Sequence, residues 1–348
     1  MQGSLRQITR NPTNIALIVS LPLLVIRAGL GVYPFAHFLS EKILSNPDLI
    51  RETPALFQFV FLSPIGLWMA WLFQIRTFKP YIALHVVSFG FFLLIAVRKM
   101  WTNHNRDVAG LTLALIATSQ AAAVCLFWIG SYDVFTFGLF ILLVTMPSHR
   151  VAPMIGVLLA FSAAEQSFLI LCGLIALATF DLIENRIKFW WAMGGLVVGR
   201  VILQFWLKAF DLRHGRLFWV TELGPRHFLD MFLRGLPLLI LTGLGGSVFA
   251  VVLTIRSITV PWKRLFLIGI LFAALVPTAL TEDQTRTFSL LTFPLILGVV
   301  IQWSRSASSK QIQQLTLVTL LTGLAIPSII IWKGTVHISD WHILHLFS

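Results

Sequence analysis

Charge is the scarcest thing in this chain. Of its 348 residues, 11% are Asp, Glu, Lys or Arg, less than half the roughly 25% of a soluble domain. That leaves too little polar surface for a water-soluble enzyme, and too little charge for a disordered chain. Acid is scarcer than base: 14 Asp and Glu stand against 26 Lys and Arg, a net charge of +12. No basic run is interleaved with aromatics, so the excess does not indicate a nucleic-acid partner. It fits cytoplasmic loops that retain Lys and Arg, drawn to anionic lipid headgroups. Cysteine is almost missing. Cys125 and Cys172 both lie inside apolar blocks, which suits packing better than a disulfide or a metal centre. Gly-x-Ser-x-Gly, a Walker loop and His-Glu-x-x-His are absent, as are sequence repeats, low-complexity tracts and Ser/Gly linkers.

What fills the chain is apolar sequence: 57% hydrophobic residues, a mean hydropathy of +0.86, 12 Trp and 29 Phe. The runs approach the ~20 residues that cross a bilayer. Eleven can be marked: Ile15–Leu39, Ala55–Phe73, Tyr81–Val97, Ala109–Ile129, Val134–Met146, Val151–Thr179, Phe189–Leu207, Gly235–Ile255, Leu265–Leu280, Phe288–Trp303 and Leu315–Trp332. The expected fold is an all-α polytopic transmembrane bundle of about 10–11 hydrophobic segments, forming a single membrane domain over 1–348. Arg6 and Arg10 before an apolar run imitate a signal peptide. No small-residue cleavage site follows, and the run continues past Arg27 to Leu39, so an uncleaved anchor is expected.

Val151–Thr179 is too long for one comfortable span and is interrupted by Ala163-Ala164-Glu165-Gln166-Ser167. A glutamate at bilayer depth costs roughly 2.5–3.5 kcal/mol or more. Two half-length helices meeting at Glu165 would place it in a protein-lined cavity. Loop charge agrees with such a re-entrant pair. It puts 147–150, 180–188, 256–264 and 304–310 on one side, with eight Lys/Arg in 29 residues. The opposite side has seven in 58, so the first side is cytoplasmic. In the N-terminal third the same counting places Arg98, Lys99 and Arg106 inside but exports Arg76, Lys79 and the N-terminus. One of the first three segments is therefore expected to be re-entrant or interfacial.

The acids gather on the outer face, at helix ends: Asp133 in Gly130-Ser131-Tyr132-Asp133, Glu165 with Gln166 in the helix break, and Asp283 in Thr281-Glu282-Asp283-Gln284-Thr285-Arg286. Such a carboxylate can serve as general base to a hydroxyl within hydrogen-bond reach, or be an ordinary solvated loop acid. Asp283 and Arg286, three apart, share a helix face. The arginine can hold a phosphate or form a local ion pair. Arg200 falls mid-segment and must face a cavity or a partner; Glu165 or a substrate phosphate is the partner expected. Arg27 raises the same question, or snorkels. Residues 208–234 have the apolar spacing of an amphipathic interfacial helix, with Arg213, Arg216, Arg226 and His227 offered to an anionic lipid head. In the tail, His342 and His345 have i, i+3 spacing without a full metal-ligand set.

Three of these stretches carry a resemblance. Trp128-Ile129-Gly130-Ser131-Tyr132-Asp133 leads into a span. A turn with Pro147 and Arg150 then precedes the broken helix containing Ala-Glu-Gln-Ser. Asp283-Gln-Thr-Arg286 stands before Phe-Ser-Leu-Leu-Thr-Phe-Pro294. Over roughly 109–300 the chain resembles the membrane core of GT-C-type glycosyltransferases and related bacterial polysaccharide-assembly proteins. The resemblance implies a multi-pass enzyme of a bacterial inner or plasma membrane, acting in cell-envelope polysaccharide biosynthesis. It would transfer a sugar from a polyprenyl-phosphate donor to a glycan or lipid acceptor at the outer face. Asp133, Glu165 and Asp283 would be its acids, with Arg286, Arg200, Arg226, His227 and Gln166 near the substrate. Membrane lipids are the other partners implied. The resemblance fixes no cofactor, and a divalent metal is compatible with the acids. The rival readings are a flippase or transporter, expected to show paired broken segments where this sequence shows one clear break, a polysaccharide polymerase or ligase, and a non-catalytic membrane subunit.

Overall fold

The computed structural model describes residues 11–212 and 216–338. Arg6, Arg10 and Arg213 and the tail histidines His342 and His345 lie outside them. Helix α1 (Pro12–Ala28) is capped by the Asn11 side chain, which accepts from the Thr13 amide at 2.9 Å. A π-helical turn (Phe38–Ile43), α2 (Leu49–Glu52), a 3-10 stretch (Ala55–Leu62) and α3 (Ile65–Leu72) follow, then α4 (Phe78–Asn103). After these come α5 (Arg106–Thr118), α6 (Gln120–Phe127), α7 (Asp133–Thr145), α8 (Ala152–Thr179) and α9 (Arg186–Ala209). The last part holds α10 (Arg216–Leu223), α11 (Pro225–Thr242), α12 (Val248–Ser257), α13 (Pro261–Ala273), α14 (Leu275–Thr278), α15 (Gln284–Ser304) and α16 (Ser309–Ala325). A two-stranded hairpin, β1 (Ile329–Trp332) and β2 (Thr335–Ile338), completes the described chain. Among the described residues, 5 helices are long and apolar enough to cross a membrane, or up to 7 if each of two bent pairs is one span. The protein is a helical, multi-pass integral membrane protein.

Fewer apolar segments cross than their number suggests, and contacts between helix ends show why. At its start α1 bonds the start of α5, Thr13 to Asp107. Near its end Arg27 reaches the Ala117 carbonyl, at 3.3 Å. The two helices are therefore parallel. Beyond them, Gly31 and Tyr33 donate to the Leu126 and Ile129 carbonyls at 3.0 and 2.9 Å. Helix α4 leaves from that same end, where the Tyr81 hydroxyl donates to Gly130 at 3.2 Å, and returns to Arg106. Residues 30–77 thus stay on one side, and Ala55–Phe73 is the segment that does not cross. The start of α1 joins Arg98, Lys99 and Arg106 on the basic, inner side, which removes the conflict at the N-terminus. Arg76 and Lys79 remain outside.

Helix α8 has the length and composition of one long span, yet it folds back on itself. Ala163 breaks it with φ −158, ψ 77. Ser167 then bonds the Leu159 carbonyl at 3.4 Å, whereas eight residues of continuous helix rise about 12 Å. Its first half runs parallel to α9. A Cβ on Gly195 would come within 2.0 Å of the Pro153 carbonyl, and one on Gly199 within 2.8 Å of the Val157 carbonyl. Its second half descends beside α15, with Gly173 against Leu295 and, just beyond the helix, Ile183 against Gly298. Lys188 closes the inner mouth by donating to the Met146 carbonyl at 2.9 Å. The re-entrant pair expected from loop charge is present.

Two spans are bent: α5 with α6 by 55°, and α11 with Gly245–Ser257 by 60°. They meet at their breaks. Ser119 caps α6, accepting from the Ala122 amide at 3.1 Å, and Gly245 (φ 54) lies so close that a Cβ would fall 2.5 Å from the Thr118 carbonyl. Arg27 completes the junction. Its guanidinium donates to Ala117 at 3.3 Å and to Ile326 at 3.2 Å, the free carbonyls where α5 and α16 stop. A cation at helix C-termini is favoured by the helix dipole, so this buried arginine serves the fold.

Two expectations need correction. The stretch 208–234 is not one interfacial helix: α10 is short, Gly224 (φ 77) breaks it from α11, and α11 continues inward as half of a bent span. The run Leu315–Trp332 is not one span either. Helix α16 ends at Ala325 and β1 follows, paired to β2 through Lys333 and Gly334 (φ 52 and 70). Two positive φ values are what a type I′ hairpin turn requires.

Candidate functional site

The outer end of the bundle holds a buried group of charges. Gly130 (φ 99) turns the chain into Ser131, Tyr132 and the start of α7, and Asp133 in the first helical turn meets the positive end of the helix dipole. Asp133 is wholly buried with both oxygens engaged. The Ser131 hydroxyl donates to Oδ2 at 2.7 Å, and Arg286 Nε donates to Oδ1 at 2.9 Å. Through Nη1, Arg286 also donates to Asp283 Oδ2 at 2.8 Å. Asp283 is the N-cap of α15, one turn ahead of Arg286 on the same helix. The guanidinium lies over the Tyr132 and Trp128 rings, 4.7 and 5.6 Å from their centroids. Such cation–π contacts strengthen where water is excluded.

The two acids differ. The Asp283 side chain is 23% exposed, but its Oδ1 is buried and has no hydrogen-bond partner among the described residues. Burial pushes its carboxyl above the ordinary carboxylate range; Arg286 opposes the rise, and Asp133 and Glu282 add to it. Beside it Gln284 is fully buried, with neither amide atom partnered among the described residues. The hairpin covers this ground. Ile331 N donates to Thr285 Oγ1 at 2.9 Å, Lys333 N to the Glu282 carbonyl at 2.9 Å, and Trp332 meets Trp128 edge-on at 6.2 Å. The adjoining cavity, lined by Tyr33, Ser63, Tyr81, Ser131 and Tyr132, measures about 10 Å³, room for a single water. The site is closed.

The other expected residues fall into separate places. Glu165 pairs with Arg200 at 3.5 Å, as the sequence suggested, at the tip of the α8 hairpin; the side chains are 51% and 38% exposed. Arg200 Nη1 has no hydrogen-bond partner among the described residues. Gln166 is buried beside the break. His227 stands 3.9 Å from Glu282, which Lys333 also approaches at 3.7 Å, and Arg226 is exposed. Asp133, Asp283 and Arg286 therefore come together, while Glu165 has Arg200 as its ion-pair partner. Among the described residues no group of three or more His, Cys, Asp or Glu is placed to hold a metal ion. Arg286 already occupies the position between Asp133 and Asp283 where a cation would bind. Sequence reasoning missed Gln284 and the hairpin, although Gln284 lies inside the Thr281–Arg286 motif and Lys333-Gly334 is a turn signal.

Family models, curated proteins and solved structures yield no match to this chain.

Proposed function

We propose that the protein is a membrane glycosyltransferase that moves a sugar from a polyprenyl-phosphate-linked donor to an acceptor at the outer face. The observation that carries this reading is Asp283: burial raises its carboxyl above the ordinary range, Arg286 fixes Oδ2, and the buried Oδ1 has no hydrogen-bond partner among the described residues. A general base needs that combination. In the reaction the acceptor hydroxyl oxygen bonds to the anomeric carbon as Asp283 Oδ1 takes its proton. The bond from that carbon to the phosphate oxygen breaks, and polyprenyl phosphate leaves with the electron pair. Arg286 is balanced by two carboxylates, so it positions Asp283 and leaves the phosphate to a less encumbered cation, Arg226 on α11, next to the His227 that stands 3.9 Å from Glu282. Substrate reaches the centre when the β1–β2 hairpin parts from Glu282 and Thr285, a closure step of the kind that often gates catalysis.

The test is release of polyprenyl phosphate from a labelled polyprenyl-phosphate hexose by membranes containing the protein. Asp283→Asn should lower turnover about 10²–10⁴-fold, the usual contribution of a general base, with insertion unchanged. The wild-type rate should fall as the pH drops through the raised pKa of Asp283. Wild-type turnover in a folded Asp283→Asn protein rejects the assignment.

One observation favours a second reading. Two bent spans that meet at their breaks resemble the discontinuous helices on which transporters build substrate sites. A flippase would move the labelled lipid across a vesicle bilayer without cleaving it.

A further inference from the structure

Gln284 is the least explained residue of the outer site. Its side chain is fully buried, and neither Oε1 nor Nε2 finds a hydrogen-bond partner among the described residues. Two residues make its notch. A Cβ on Gly235 would stand 2.2 Å from Gln284 Oε1 and 2.8 Å from Ile331 Cγ2, so the amide fits only because α11 carries no side chain there and β1 lies over it. An unpaired buried amide lowers stability, and an apolar group of the same shape would not. Next to it, Asp283 Oδ1 is a further unpaired acceptor. The unpaired amide therefore offers one acceptor and one donor nitrogen beneath β1, on the residue that follows Asp283.

The charges narrow what such a set can hold. Asp133, Asp283 and Arg286 sum to one negative charge, and Glu282 close by is matched by Lys333 at 3.7 Å. A phosphate or carboxylate is repelled there, and a cation would face the Gln284 N–H donors. A neutral group with hydroxyls suits the amide: it donates to Gln284 Oε1 and accepts from Gln284 Nε2, and leaves Asp283 Oδ1 to the acceptor hydroxyl. We propose that Gln284, in the notch left by Gly235, reads the hydroxyls of the donor's sugar and is a specificity-determining residue of this site. This rests on the glycosyltransferase reading above.

The experiment uses the full-length protein in lipid nanodiscs with two probes, polyprenyl phosphate and a polyprenyl-phosphate hexose, and records the Tm without either. Wild type should bind the glycosylated lipid about tenfold more tightly than the bare one, the worth of one or two hydrogen bonds. Gln284→Met keeps the length and shape of the side chain. It should erase that preference, leave the bare lipid's affinity unchanged and raise the Tm. Gly235→Ala, which drives the amide from its notch, should also erase the preference. A Gln284→Met protein that still prefers the glycosylated lipid, or whose Tm falls, overturns the proposal and leaves the catalytic reading standing. Wild type that binds neither lipid overturns both.

Discussion

Arg286 donates to Asp133 and Asp283 and has aromatic rings against its face. Where water is excluded, such a pair is worth less as a source of stability than its removal would suggest. Its formation strips two ions of solvent, whereas loss of one partner strands the other. Arg286→Gln, which strands the wholly buried Asp133, should therefore destabilise the protein by about 3–5 kcal/mol. The double variant Asp133→Asn/Arg286→Gln should recover a large part of that loss, read as a coupling energy in reversible unfolding. Additive losses would mean the pair is not coupled. The residue scale was partly legible. The spacing of Asp283 and Arg286 announced a shared helix face, and Arg200 at mid-span announced its need for Glu165. That Asp133 would reach Arg286, 153 positions away, is a tertiary fact with no local signal.

At the scale of elements the α8 hairpin is the feature most dependent on shape. Gly195 and Gly199 form a small-xxx-small pair of the kind that lets membrane helices approach closely. They press α9 onto Pro153 and Val157, where no Cβ fits. Gly195→Leu should cost at least about 1–3 kcal/mol by overpacking, seen as a lowered Tm, while Gly194→Leu, where a Cβ meets nothing within 4 Å, should be nearly neutral. Equal effects at the two positions would deny the close contact. The hairpin itself could be read from Glu165 and from the charge of the flanking loops, because a buried acid and exported arginines are both expensive. The idle Ala55–Phe73 segment could not be identified. Its composition is that of a span, and only its neighbours reveal that it stays outside. The bends at Ser119 and Gly245 were equally hidden, since Ser and Gly are ordinary residues of membrane helices.

For the whole molecule, sidedness follows from which helix ends touch. Thr13 lies against Asp107 and Ser309 bonds the same carboxylate, so the starts of α1, α5 and α16 share one face. Glu184 with Arg305 and Asp181 with Lys263 bring the inner turns of α9, α13 and α15 to that face as well. This gathers Arg98, Lys99, Arg106, Arg150, Arg186, Arg256, Lys263, Arg264, Arg305 and Lys310 on one side, and the positive-inside rule makes that side cytoplasmic. The chain outside α1 then carries the whole of 30–77, a cover over the outer half of the bundle where Trp68 packs on Phe161 and Trp206 at 4.6 and 5.4 Å. Single cysteines in a Cys125→Ser/Cys172→Ser background test the arrangement, using a membrane-impermeant maleimide on right-side-out vesicles. Position 48 should react at once, whereas positions 11, 103, 148, 185 and 310 should react only after the membrane is opened. A straight α8 would place 148 and 185 on opposite sides, and a crossing at Ala55–Phe73 would place 11 and 103 on opposite sides. Each outcome identifies the element at fault.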